Sequence, residues 1–457
     1  MSGPTLSNSP DNPAADNPAG AITKPNWPVL ILAFIAVVLD GYDTIALGLS
    51  VPALKEDWGV PASHFTPALS LTSLGVALGY IAVGRLTARF GCRKVILAAV
   101  IVFTIGSLLT AWAGNIVELS LLRLITGFGL GAVMPAAVAQ ATALNPVRHR
   151  QSIAVFVTMG ISLGALIAGV LGSQIVSAYG WPSVFIVGAV ASAILLPFLW
   201  RWLPDERGVT GVVAGSEARH HAAVARLFDP AVRGRTLLLW GFAFMVFSVF
   251  YIFSSWLPTL LTSYGFSTGL APLGSAALGI GSIVGAGILI VGATRFRMSS
   301  VLAGTTVAAI VFLVLSAFLG ADKALLLVVF GGVGLGLQAG MIGQAAVAVS
   351  IYPQATAATG VGWASSMGRL GSVVGPIIGG ALIGLGLSTS AIVLIACAPV
   401  AVALGLILLL RRTEPKVFDD AAGTGRLDGP EAGDRTTVGG PAMTSQTMNG
   451  HAIGGQA

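Results

Sequence analysis

Long apolar runs, broken at intervals by Gly, Pro and a few charges, set the pattern of this chain. The first contains VVLDGYDTIALG, residues 37–48, which places two carboxylates where the surrounding residues avoid water. A spanning helix takes about 20 mostly apolar residues. By that ruler the pattern predicts spans near 27–52, 64–88, 94–113, 116–140, 151–176 and 181–203. A second set follows near 236–262, 269–294, 299–320, 324–350, 357–385 and 388–410. The expected fold is an all-α integral membrane protein of twelve transmembrane helices in two six-helix pseudo-repeats. Its expected parts are a tail at 1–26, a six-helix bundle at 27–203, a basic loop at 204–235, a second bundle at 236–410 and a tail at 411–457. Both tails are polar and read as disordered.

Composition narrows the class. Of the residues, 55% are hydrophobic and 9% charged, against about 25% charged in soluble globular domains. Cys92 and Cys397 lie far apart, so no disulfide framework or metal-ligand spacing is expected. A net charge of +6 would fit a nucleic-acid partner, but the positive charges follow the membrane instead. With both tails cytoplasmic, 20 of the 24 Lys and Arg fall on the cytoplasmic side; Lys55 and Lys323 fall outside, and Arg123 and Arg369 lie within spans. That bias predicts cytoplasmic termini and no nucleic-acid partner. No Ser–His pair, metal constellation or Walker signature appears, so neither an enzyme nor an ATP-driven pump is expected.

The two halves echo each other. Span four has GFGLG (127–131) and span ten GVGLG (332–336). Gly160, Gly164, Ala168 and Gly172 recur every fourth residue in span five, as do Gly371, Gly375 and Gly379 in span eleven. Such faces let helix backbones approach closely, and their matched positions predict two parallel repeats around a site near the bilayer midplane.

Four charged residues lie well inside spans: Asp40, Asp43, Arg123 and Arg369. Each costs about 2.5–3.5 kcal/mol at a helix centre on insertion scales, so such residues face a cavity or one another. Asp40 and Asp43 are three residues apart and are expected to share a face. One reading makes them a proton site, because desolvation favours the neutral form of an acid; the other makes them structural partners of the arginines. A guanidinium forks onto a carboxylate, so Arg123 and Arg369 are either anchors for an organic acid or permanent partners of the aspartates. Trp240, Phe244, Phe247 and Tyr251 form a stripe along span seven, which either stacks a planar ligand or packs a neighbouring helix. Gln338, Gln344 and Gln140 either orient a ligand or bond helix to helix.

These residues carry a family likeness. LDGYDTIALGLSVPAL (39–54), GRLTARFGCRK (84–94) and IYPQATAATGVGWASSMGRLGSVVGPIIGG (351–380) resemble motifs of the major facilitator superfamily, specifically its aromatic acid/proton symporters. The resemblance extends over essentially all twelve spans. It implies uptake of small aromatic carboxylic acids, of the hydroxybenzoate, benzoate, protocatechuate or gentisate class, in support of aromatic catabolism. Transport would be by proton symport with alternating access in a bacterial plasma membrane. No cofactor beyond the proton gradient is implied, and a monomer is the default for the fold. Carried over by position, Asp40 and Asp43 become the proton-coupling residues. Arg123, Arg369, Tyr42, Gln338, Gln344, Tyr251 and Trp363 become the candidate substrate site, and Gly84, Arg89, Gly91, Arg93 and Lys94 the gating loop motif. The chain departs from the pattern at Ala88 and Thr294, where acids are expected beside Arg89 and Arg295. Losing those latch charges is expected to bias the resting state inward. Alternatives are an exporter, a carrier of another organic anion, or a membrane sensor that binds aromatic acids without moving them.

Overall fold

The computed structural model describes residues 25–146, 149–204, 226–230, 232–319, 322–352 and 354–413. Residues 1–24 and 414–457 of the expected disordered tails, and the central loop from 205 to 225, lie outside the described residues. Among the described residues, twelve helices are long and apolar enough to cross a membrane. They are α1 (Trp27–Trp58), α2 (Thr66–Phe90), α3 (Cys92–Thr110), α4 (Ile116–Ala143), α5 (Arg150–Tyr179) and α6 (Pro182–Trp202), followed by α7 (Arg233–Ser263), α8 (Leu273–Ala293), α9 (Met298–Phe318), α10 (Lys323–Ile351), α11 (Gln354–Gly384) and α12 (Thr389–Thr413). Helices of this kind satisfy their backbone groups internally, without water.

Local chemistry sets several ends. Asn115 accepts from the Glu118 amide (2.9 Å) while Glu118 accepts from the Gly114 amide (3.0 Å), a reciprocal cap that starts α4. Gly91 alone joins α2 to α3, at φ 83°, a conformation only glycine adopts without strain. Its place in the basic loop motif is therefore a turn requirement.

The helices pair identically in the two halves. In the first, α1 packs on α5 and α6, α2 on α4, and α3 on α4 and α6; in the second, α7 packs on α11 and α12, α8 on α10, and α9 on α10 and α12. The glycine echo explains this. Gly127 and Gly131 press on the α2 backbone at Thr72 and Val76, and Gly334 presses on the α8 backbone at Leu278. In the same way Gly164 lies against Val38 of α1, and Gly371 and Gly375 against Phe244 and Ser248 of α7. A methyl group at Gly131 would collide with the Val76 backbone, whereas one at Gly405 meets nothing within 4 Å. Gly131→Ala is therefore expected to cost about 1–3 kcal/mol by overpacking and Gly405→Ala almost nothing. Detergent melting curves that move equally for both would refute this account of the α2–α4 contact.

Twelve antiparallel spans return the chain to the end at which α1 begins, here termed the tail end. Hydrogen bonds tie helix ends together there; Asn26 N donates to Asn145 Oδ1 (2.7 Å), and Tyr352 Oη to Thr236 Oγ1 (3.0 Å). The halves meet along α2–α11, α5–α8 and α1–α7. Their close approaches gather at the opposite end, where Gly380 meets Thr66, Gly269 meets Ser177 and Gly48 meets Ser254 and Ser255. The apolar core divides accordingly. Residues of the first half near that end join the core of the second half, while its tail-end residues, from Val29 to Val37 and around Val95–Phe103, form a core of their own. The molecule is closed at the far end and parted at the tail end.

Candidate functional site

Halfway along the bundle, α1, α5, α7, α8, α10 and α11 enclose a cavity of about 70 Å³ lined by Thr44, Ser162, Tyr251, Ser275, Gln338 and Arg369 among others. A second space of about 550 Å³ lies on the tail-end side, between α2 and α11, lined by Tyr80, Thr359, Trp363, Ser365 and Arg369. Its size falls within the range of small-molecule sites, about 300–1,000 Å³. Arg369 borders both spaces. Its Nη1 donates to the Tyr251 hydroxyl (3.2 Å), and its guanidinium lies 3.9 Å from the centre of the Tyr80 ring. Asp40 sits behind Thr44, whose hydroxyl donates to its Oδ1 (3.4 Å), within electrostatic reach of Arg369.

The second pair of charges is arranged differently. Arg123 Nη1 bonds Asp43 Oδ1 at 2.7 Å, Nη2 donates to the Asp43 carbonyl (3.0 Å), and Nε donates to Thr72 Oγ1 (3.4 Å). Ser107 donates to the other Asp43 oxygen, and the Phe185 ring lies 5.5 Å from the guanidinium. Arg123 is wholly buried and borders neither space. The expectation that Asp40 and Asp43 share a face holds only loosely. Residues at i and i+3 differ by about 60° around a helix, enough to turn Asp43 towards α3 and α4 while Asp40 stays near the cavity.

The other candidates divide in the same way. Tyr251 and Gln338 line the cavity and Trp363 the tail-end space. Tyr42 instead points into α6, donating to the Val184 carbonyl (3.0 Å), and Gln344 bonds Ser365 (3.2 Å). The stripe on α7 packs against α11: Trp240 stacks on Trp363 with ring centres 5.5 Å apart, Phe247 covers Gly368, and only Tyr251 reaches the cavity. Gln140 donates to the Pro204 carbonyl (3.0 Å) at the tail end, far from the cavity. In the loop motif, the Gly84 carbonyl accepts from Thr87 (3.2 Å), Arg93 donates to the Trp200 carbonyl, and Arg89 lies 5.2 Å from the Phe90 ring. Lys94 borders an apolar groove beside Phe90. No acid pairs with these three cations among the described residues.

Sequence reading missed Tyr80 and the serines of α5, α7 and α8. One tyrosine or serine in an apolar span carries no distinguishing pattern, although Ser275 and Ser282 do fall at i and i+7.

The comparisons with known proteins accord with this architecture. The model of the Major Facilitator Superfamily matches residues 33–342. The chain belongs to that superfamily. It is similar to a gallate transporter of Pseudomonas putida, 32% identical over 389 residues that make up 79% of this chain and 86% of the relative. A 4-hydroxybenzoate transporter of the same organism is 30% identical over 411 residues, 80% of this chain and 88% of the relative. Among solved structures, a nucleoside transporter aligns with a TM-score of 0.70 at 15% identity, covering 84% of this chain and 99% of that one; this likeness speaks for the fold alone. The superfamily member described here is thus a multi-pass membrane protein of the transporter class and not an enzyme.

Proposed function

We propose that this carrier takes up small aromatic carboxylic acids by proton symport, with Arg369 as the carboxylate anchor and Asp40 as the proton site. The observation that carries the reading is the position of Arg369. It is a half-buried arginine within a span that, among the described residues, borders open space on two sides and lies against two phenol rings, with no carboxylate in contact. A guanidinium so placed retains donors for an incoming carboxylate. The relatives named for gallate and 4-hydroxybenzoate supply the aromatic part of the reading.

On this reading Asp43 and Arg123 form a permanent scaffold pair. Asp40 accepts a proton when the cargo carboxylate neutralises Arg369, so the loaded centre, like the empty one, carries no net charge through the change of access. The halves rock about the α2–α11 and α5–α8 seams, as repeat-built transporters do. The tails lie in the cytoplasm of a bacterial cell, as the 20 of 24 Lys and Arg on that side imply, so the tail-end opening faces inward. The gradient drives a monomer without a further cofactor. Without acids at Ala88 and Thr294, the tail-end latch is weak and the inward-facing state rests favourably.

The test is uptake of labelled 4-hydroxybenzoate into cells lacking aromatic-acid carriers, with and without a protonophore. Wild-type uptake is expected to collapse with the gradient. Asp40→Asn is expected to lose accumulation while retaining exchange of internal for external acid, because a permanently neutral residue cannot cycle a proton. Accumulation by Asp40→Asn at the wild-type level would sink the assignment of Asp40.

A further inference from the structure

The cavity that Arg369 borders is also lined by hydroxyls with no partner among the described residues. On α8, Ser275, Gly279 and Ser282 face the cavity, joined by Ser162 of α5. Gly279 lets α8 rest on the α5 backbone at Ser162 and Leu166, which brings the three serines together. All three are more than nine-tenths buried. Buried hydroxyls elsewhere in the bundle commonly donate to a carbonyl one turn back, as Ser50, Thr72, Ser192 and Thr306 do. Ser162, Ser275 and Ser282 make no such bond among the described residues, and the Ser275 Oγ is fully enclosed with no partner at all. Buried polar groups are as a rule hydrogen-bonded, so a group of uncommitted hydroxyls bordering a cavity awaits a partner from the ligand.

Their placement relative to Arg369 matters. Arg369 stands at the α2–α11 seam and the serines at the α5–α8 seam, two separate lines along which the halves meet. Because Arg369 and the serines line one cavity, a ligand anchored there by its carboxylate would have its distal edge to offer to the serines. We propose that Ser162, Ser275 and Ser282 form a recognition site for ring hydroxyls, so that the carrier selects aryl carboxylates hydroxylated on the ring away from the carboxylate over unsubstituted ones. The proposal rests on the aromatic-acid reading above and names the specificity determinant of that site. A site built to hydrogen-bond a ligand hydroxyl discriminates strongly against the analogue that lacks it, because the protein groups are then left unpaired.

The experiment is calorimetric binding to the purified full-length carrier of benzoate, 4-hydroxybenzoate and 3,4-dihydroxybenzoate, repeated with Ser275→Ala/Ser282→Ala and with Ser162→Ala. Wild type is expected to bind the hydroxylated acids at least about tenfold more tightly than benzoate. The double variant is expected to lose about tenfold of that preference, weakening the hydroxylated acids while leaving benzoate unchanged, which a merely structural role for the serines would not produce. Equal affinities for benzoate and its hydroxylated forms in wild type would overturn the proposal and leave the aromatic-acid reading standing. So would a preference that survives in both variants. Failure of every aryl carboxylate to bind would overturn both.

Discussion

Arg369→Ala is expected to reduce aromatic-acid uptake at least about thirtyfold while leaving a folded protein. Truncating one partner of a buried charge pair costs about 2–5 kcal/mol in binding, and here the partner left unpaired would be the cargo carboxylate. Folding should tolerate the change, because no carboxylate bonds Arg369 directly among the described residues: its guanidinium meets the Tyr251 hydroxyl at 3.2 Å and the Tyr80 ring at 3.9 Å, with Asp40 only within electrostatic reach. Arg369→Lys keeps the charge but gives up the planar fork and the stack on Tyr80, so it should recover only part of the loss. Uptake would be measured beside a detergent melting curve for each variant. A melting point that falls steeply for Arg369→Ala, with transport lost in proportion, would make Arg369 a scaffold residue and remove the central element of the proposed function.

The opposite pattern is expected at Arg123. Its three polar contacts and the four-group cluster around Asp43 leave both charges fully satisfied and without access to the cavity. Removing one partner strands the other charge in a dry interior, at a cost of about 3–5 kcal/mol. Arg123→Ala and Asp43→Asn should therefore melt far below wild type or fail to accumulate as monodisperse protein. The double variant Asp43→Asn/Arg123→Gln removes both charges while keeping polar contacts, and is expected to regain much of the stability and measurable uptake. A double variant that is stable yet inert in transport would show that the pair works in the cycle and does more than brace α1 against α4.

These two predictions turn on a distinction that sequence alone did not draw. Residues 39–54 place Asp40 and Asp43 side by side on one span, and Arg123 and Arg369 lie in spans distant in sequence from it and from each other. Which arginine answers which aspartate depends on how α1 is rotated between its neighbours. In the folded chain α1 packs on α4, α5, α6 and α7 at once, so a turn of about 60° between the two aspartates is enough to send them to different surroundings. The same rotation removes Tyr42 from the candidate site, because its hydroxyl reaches Val184 on α6.

Much else is legible in the amino-acid sequence by itself. The number, order and class of the spans follow from apolar run length, because a bilayer of fixed thickness and a backbone that must satisfy itself leave few alternatives. The pseudo-repeat follows from glycine spacing, because close backbone packing needs a missing side chain at regular intervals. The four intramembrane charges announce a functional or structural centre through their cost alone. What the tertiary structure decided was the sorting of that centre: Arg369 to open space and Arg123 to a closed pair. It also brought Ser162, Ser275 and Ser282 together across the α5–α8 seam. Each of those serines is ordinary within its own span, and only the contact of two halves that lie far apart in the chain makes them one surface.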